Sequence, residues 1–209
     1  MAAEYHKEIL MADAAFHLDK HFSDAFALFK KHAVLLIIAG LVAAVLSAVT
    51  FGVLAAPLLV GLLLIIKRLL ENDPQVPLVG DIFKGFELFV PAFLVGLVAF
   101  LAGAVGYVLN FIPLVGQLAS LAIGMAVGPL ASWALALVAY RRMGAIEAYT
   151  TVIRRIQAGD FWMPLLFALL ASVIASAGSL VFMVGLLITV PFAVCLMGCG
   201  YREAFGSEP

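Results

Sequence analysis

The sequence predicts an all-α polytopic membrane bundle: six transmembrane helices arranged as three helical hairpins, each preceded by an amphipathic interfacial helix. Three observations carry this. The 209 residues are 65% apolar and only 12% charged, whereas soluble domains carry roughly 45–50% apolar and about 25% charged residues. The charges are confined to a few intervals, leaving Ala33–Ile66, Leu88–Tyr140 and Phe161–Tyr201 free of them. Each free stretch is too long for one helix of about 20 residues and suits two.

Residues 1–32 form the N-terminal amphipathic segment, with Met11, Leu18, Phe22, Phe26 and Phe29 on one face. It is too long and too mixed in charge for the leading region of a signal peptide, so the apolar run from Ala33 is read as a retained span. Truncation of residues 1–22 is expected to leave the spans folded and to weaken association with a partner or with anionic lipid, since each span satisfies its own backbone.

Residues 33–70 make hairpin 1, turning at Thr50-Phe51-Gly52. Its 34 uncharged residues give about 51 Å of helix at ~1.5 Å per residue, short of two crossings of a ~30 Å core. Snorkelling by Lys30, Lys31, Lys67 and Arg68 closes the gap; a pair of re-entrant half-helices is the competing reading. Residues 81–143 hold an interfacial segment and hairpin 2, turning at Asn110–Pro113 and Gly116-Gln117. Residues 144–206 hold an interfacial helix, with Ile146, Tyr149, Ile153 and Ile156 as its apolar stripe, and hairpin 3, turning near Ser176–Ser179.

The hairpins echo one another. GLVAAVLSAV at Gly40 and GLVAFLAGAV at Gly96 share six of ten positions. Upstream, Asp24-x-Phe26-x-x-Phe29 matches Asp81-x-Phe83-x-x-Phe86, each Asp read as a helix N-cap. Ala168–Ala175 is a weaker third copy. Pro57, Pro129 and Pro191 sit on the three return helices and are expected to kink them. Two spans per unit keep all units in one orientation, as in parallel repeats about an axis along the membrane normal. Gly124 and Gly128 form a G-x-x-x-G expected to bring helices close, supporting a compact bundle and a homo-oligomer or larger complex.

All charged segments then share one side, which the positive-inside rule makes the cytoplasm, both termini included. The net charge of −1 and the lack of a basic tract exclude nucleic acid as a partner; membrane lipids are the expected one. Cys195 and Cys199, at i and i+4, read as packing residues because that spacing suits a disulfide poorly.

The spans contain no ionisable residue, whereas ion-coupled transporters usually place such groups in the membrane. Neither a catalytic constellation nor a cofactor motif is present, so the expectation is a protein that is not an enzyme and needs no cofactor. The weak candidate for chemistry is Asp13, His17 and His21, which share a helical face; the two histidines are spaced to hold one metal. A solvated polar face explains the same spacing.

Certain stretches resemble a known group: Gly80-Asp81-Ile82-Phe83-Lys84-Gly85-Phe86, the Glu147-to-Arg155 helix leading into Phe161-Trp162, Gly185–Pro191, and Tyr201-Arg202-Glu203-Ala204-Phe205-Gly206. Over about residues 20–206 the chain is similar to a broad family of uncharacterised bacterial integral-membrane proteins, related to the membrane domain of some glycerophosphodiester phosphodiesterases. The resemblance implies a helical protein of the bacterial inner membrane. It implies no phosphodiester chemistry, because these residues hold no catalytic domain of that kind. The expected role is a scaffold, accessory subunit or membrane-organising protein. The alternative is a transporter or channel for a neutral or amphiphilic, lipid-like solute, which a polar cavity lined by Asn110, Gln117 and serines would favour.

Overall fold

The computed structural model describes residues 18–158, 161–177 and 182–206. The fold is all-helical, with no strand among the described residues. Its elements are α1 (Leu18–Lys31), α2 (Ala33–Val49), α3 (Ala55–Leu70), a 3₁₀ segment (Val79–Leu88), α4 (Phe89–Leu109), α5 (Val115–Arg141), α6 (Ala145–Gln157), α7 (Trp162–Ala177) and α8 (Phe182–Phe205).

By length and composition, the helical runs Val79–Leu109 and Val115–Arg141 can cross a membrane. The pair Lys20–Lys31 and Ala33–Val49, bent by 89° at His32, makes up to three. The six expected spans are not all of crossing length: α2 has 17 residues, and α3 and α7 have 16 each. At ~1.5 Å per residue these give about 24–26 Å of helix, under a ~30 Å core.

The centre of the bundle is α3, α5 and α8, which touch one another. Around them α2 lies against α3 and α8, α4 against α5 and α3, and α7 against α8 and α5. Across one end, α1 packs on α8, the 3₁₀ segment on α3 and α6 on α5. The core is aliphatic along α3 and α5 and aromatic at this end, where Trp133, Phe161 and Phe205 are fully buried and in ring contact. Trp133 donates its indole N–H to the Pro164 carbonyl at 2.9 Å, satisfying the one polar atom its burial would strand.

Local chemistry closes each described turn. Thr50 ends α2: its hydroxyl donates to Leu46 O at 2.7 Å and accepts from the Leu54 N–H at 3.3 Å. Phe51 and Gly52 follow with positive φ, a conformation glycine adopts freely. At the far tip of α4–α5, Asn110 donates to Gly106 O and Ser120 Oγ. Gly116 is buried there with the Leu109 carbonyl where its Cβ would stand.

Three expectations are corrected. Pro129 and Pro191 lie inside α5 and α8, where each lacks a ladder N–H. Pro57, however, is the third residue of α3, among the first N–H positions that have no intrahelical partner in any case, so it starts the helix and does not kink it. Asp24 falls within α1 and is no N-cap. Asp81 sits three residues past the cap position and accepts the Leu78 N–H at 2.9 Å. In α6 the face against the bundle is Ala145, Ala148 and Val152, with Tyr149 and Ile156 half-buried beside it; Ile146, 81% exposed, and Ile153 face outward.

Candidate functional site

The charged end of the bundle is assembled from all three groups of helices. Arg68, in the last turn of α3, donates from Nε to Asp73 at 2.8 Å, from one terminal nitrogen to Asp81 at 2.8 Å, and from the other to Gln75 O at 3.2 Å. Lys84 pairs with the second oxygen of Asp81 at 2.8 Å. This clip folds the loop 71–78 back over α3. Hydrogen bonding from Arg68, then from the Gln75 N–H, holds the Asp73 carboxyl below the usual range. Lys84 and the Leu78 N–H do the same for Asp81 against the opposing effect of its partial burial.

The helix C-termini at this end are capped by cations from neighbouring helices. Lys67 Nζ of α3 donates to Tyr140 O of α5 at 3.3 Å, and Arg141 of α5 donates to Phe205 O of α8 at 2.8 Å. Each cation meets terminal carbonyls at the negative end of a helix dipole. Arg142 reaches Glu87 at 3.1 Å, and the Arg155 guanidinium lies over the Phe205 ring.

Beneath the clip, the 3₁₀ segment meets α3 backbone to backbone. A Cβ on Gly61 would collide with the Ile82 carbonyl, and one on Gly85 with the Pro57 carbonyl. Glycine at both positions is what this approach requires. Elsewhere Gly40 faces Pro191, Gly96 faces Ala56 Cβ and Gly198 faces Ile66, each at 2.6 Å from the ideal Cβ position. Gly124 and Gly128, the pair singled out from sequence, make no such contact among the described residues. Among the described residues nothing lies within 4 Å of a Cβ on Gly124, and Gly128 meets only Ser172 Oγ at 4.0 Å. Sequence spacing marked a small-residue face, but the register of α5 turns Gly124 outward.

Of the three candidate ligands, Asp13 and His17 lie outside the described residues. His21 of α1 is 6% exposed. Its Nε2 hydrogen-bonds the Glu203 carboxylate of α8 at 2.5 Å, and its ring meets Phe167 of α7 edge-on. Among the described residues no group of three His, Cys, Asp or Glu side chains is placed to hold a metal. His21 thus ties α1 to the bundle, a link between distant segments that spacing along the chain could not reveal. Phe22, Phe26 and Phe29 add edge contacts to Phe192.

Two recesses indent the bundle away from its charged end. One, of about 390 Å³, lies between the α2–α3 turn and α4. The other, of about 250 Å³, lies among α3, α5, α7 and α8. Leu59 and Leu135 line both. Asn110 and Gln117 line neither. The second recess includes Ser132 and Ser172, whose hydroxyls bond back to Gly128 O and Ala168 O at 2.9 and 2.8 Å, as helix serines commonly do. Cys195 is buried and Cys199 partly so, and both are free thiols.

Comparison with protein families, with curated proteins and with solved structures finds no match to the chain, so function is read from the fold and from these surfaces.

Proposed function

We propose that the chain is a non-enzymatic integral protein of the bacterial inner membrane that acts as a scaffold, accessory subunit or membrane-organising protein. It has six membrane segments in three like-oriented hairpins (α2–α3, α4–α5 and α7–α8), with both termini and the interfacial elements cytoplasmic.

The packing pattern supports three equivalent units. Each outgoing helix rests on its own return helix and on the return helix of the preceding unit: α2 on α3 and α8, α4 on α5 and α3, α7 on α8 and α5. Each interfacial element lies on the return helix of the preceding unit: α1 on α8, the 3₁₀ segment on α3, α6 on α5. The cation caps follow a cyclic order too, Lys67 to α5 and Arg141 to α8. Helices α2 and α4 begin at Ala33 and Phe89, the same 56-residue spacing that separates the two repeated phrases.

The observation that carries the functional reading is the lining of the recesses. Apart from Ser132 and Ser172 they are apolar, and neither reaches Asn110 or Gln117, so neither offers a polar solute a continuous polar wall. Meanwhile the interfacial elements present exposed Phe22, Phe26, Phe83, Ile146 and Ile153 beside Lys20, Lys84, Arg154 and Arg155, the composition of surfaces that lie in the headgroup region. The second reading, a carrier for a lipid-like solute, is favoured only by the size of the larger recess. Reconstitution into vesicles of phosphatidylethanolamine and phosphatidylglycerol tests the choice. The protein should move neither a neutral dye nor a headgroup-labelled phospholipid faster than protein-free vesicles do, and should keep a partner or anionic lipid through purification in mild detergent. Transport above the protein-free rate overturns the scaffold reading.

A further inference from the structure

The membrane-facing surface has a step in it. Phe51, Gly52 and Val53 of the α2–α3 turn share the larger recess with Phe93, Gly96 and Phe100 of α4, so that turn stands level with Phe100. From there α4 continues nine residues to Leu109, about 14 Å at ~1.5 Å per residue. On α5, Gly128 faces Ser172 of α7; beyond that level α5 extends thirteen residues to Val115, about 20 Å, and α7 five residues to Ala177, about 8 Å on the same rise. The outer α4–α5 hairpin thus rises above the α2–α3 hairpin. It buries Gly106 and Gly116 where its two helices meet, and exposes Leu101, Val105, Val108, Leu118 and Met125. A hairpin apolar on its outer faces belongs in hydrocarbon. Beside it the α2–α3 hairpin ends early, with Phe51 93% exposed.

We propose that the larger recess is a lipid-chain site, which takes the end of an acyl chain from a phospholipid in the leaflet opposite the charged face. This inference rests on the membrane reading above. Every side chain that lines the recess is hydrocarbon, among them Phe51, Ala55, Leu59, Phe93 and Phe100, so it offers a headgroup or a polar solute no partner. Its volume of about 390 Å³ exceeds the ~150 Å³ that suffices to hold benzene in an apolar cavity and falls in the ~300–1,000 Å³ range of ligand sites. The step supplies the reason for a chain to enter. A lipid seated over the short hairpin has less depth beneath it than its neighbours have, and mismatch of this kind costs fractions of a kcal/mol per ångström when chains must compress. The recess opens at that level and accepts the surplus length sideways.

The test uses the full chain in nanodiscs of phosphatidylethanolamine and phosphatidylglycerol that contain a phospholipid with a photoreactive diazirine near the end of one acyl chain. Peptide mapping should find label on residues 93–100 and on the 51–59 turn. Ala99→Trp, which fills the recess, should lower that label about tenfold, equivalent to ~1.4 kcal/mol, while label on residues 105–118 of the tip stays within about twofold. Ala55→Phe should do the same and keeps the test decisive should Ala99→Trp fail to fold. Val108→Trp, outside the recess, should leave the recess label unchanged. Recess label that survives both filling variants overturns the proposal, and so does label on the tip with none in the recess. Label absent from the tip as well as from the recess would instead defeat the membrane reading itself.

Discussion

The contact of Gly61 and Gly85 with backbone gives the most direct handle on the fold. In Gly61→Ala the new methyl stands where the Ile82 carbonyl lies, and the Ile82 Cα is 3.0 Å away. The obstacle is main chain, so no rotamer change relieves it; the 3₁₀ segment must lift from α3, straining the Arg68 clip above. Overpacking of this kind costs about 1–3 kcal/mol, offset in part by the ~0.5–1 kcal/mol that alanine gains over glycine inside a helix. The net is about 1–2 kcal/mol, which lowers the midpoint of a chain this size by roughly 2–8 °C at ~2–4 °C per kcal/mol. Gly124→Ala places its methyl in open space and keeps only the helical gain, so its midpoint should hold or rise slightly. Thermal unfolding in a single mild detergent, followed by loss of the monodisperse elution peak, compares the two. A Gly61→Ala protein as stable as the parent, or a Gly124→Ala protein that loses as much as Gly61→Ala is expected to, refutes the assignment of close contacts.

His21→Ala removes a buried bond to the Glu203 carboxylate and should cost about 1.5–3 kcal/mol, the value of hydrogen bonds to charged groups; the same melting assay should show the loss, and Glu203→Ala should show a similar one. Because Asp73 and Asp81 are both more acidic in the folded protein than unfolded, the clip is at full strength above the ordinary aspartate value near ~3.9 and weakens as pH falls through the lower folded values. Melting points taken between neutral and strongly acid pH should therefore decline less steeply in Asp81→Asn than in the parent. In a background with Cys195 and Cys199 replaced by alanine, a cysteine at Gln117 should react with an impermeant maleimide from outside spheroplasts, and one at Arg154 only after lysis; labelling of Arg154→Cys in intact spheroplasts defeats the proposed orientation.

The distribution of charge made the helix ends legible: Lys67 and Arg68 fall in the last turn of α3, Arg141 in that of α5, and Arg142 just past it. Thr50-Phe51-Gly52 and Asn110 likewise announced their turns through local chemistry. What the sequence could not reveal is long-range. Gly61 and Gly85 look no different from Gly124 until the 3₁₀ segment is laid on α3. His21 looked like a solvated or metal-binding face because its partner, Glu203, is 182 positions away. The expectation that residues 1–22 are dispensable to the fold loses its footing for the same reason, since His21 is bonded inside the bundle.

The depth of the α2–α3 turn decides how the bilayer meets this protein, and a charge placed there reads it. An aspartate costs about 2.5–3.5 kcal/mol at the centre of a membrane helix and far less near the interface. Phe51 already holds a positive φ of 50°, which aspartate tolerates better than phenylalanine, so any loss in Phe51→Asp reports surroundings and not backbone. Ile112 provides the comparison: it is exposed at the tip of the longer hairpin, which ends beyond the level of Phe51. If the short hairpin ends within the hydrocarbon, Phe51→Asp should lower the melting point in nanodiscs of long-chain phosphatidylcholine and recover in short-chain lipid, where the surface comes down to the turn. Ile112→Asp should be nearly silent in both. Equal behaviour of the two variants in both lipids would mean that the turns lie at one depth, and the step on which the lipid-chain site depends would be absent from the membrane.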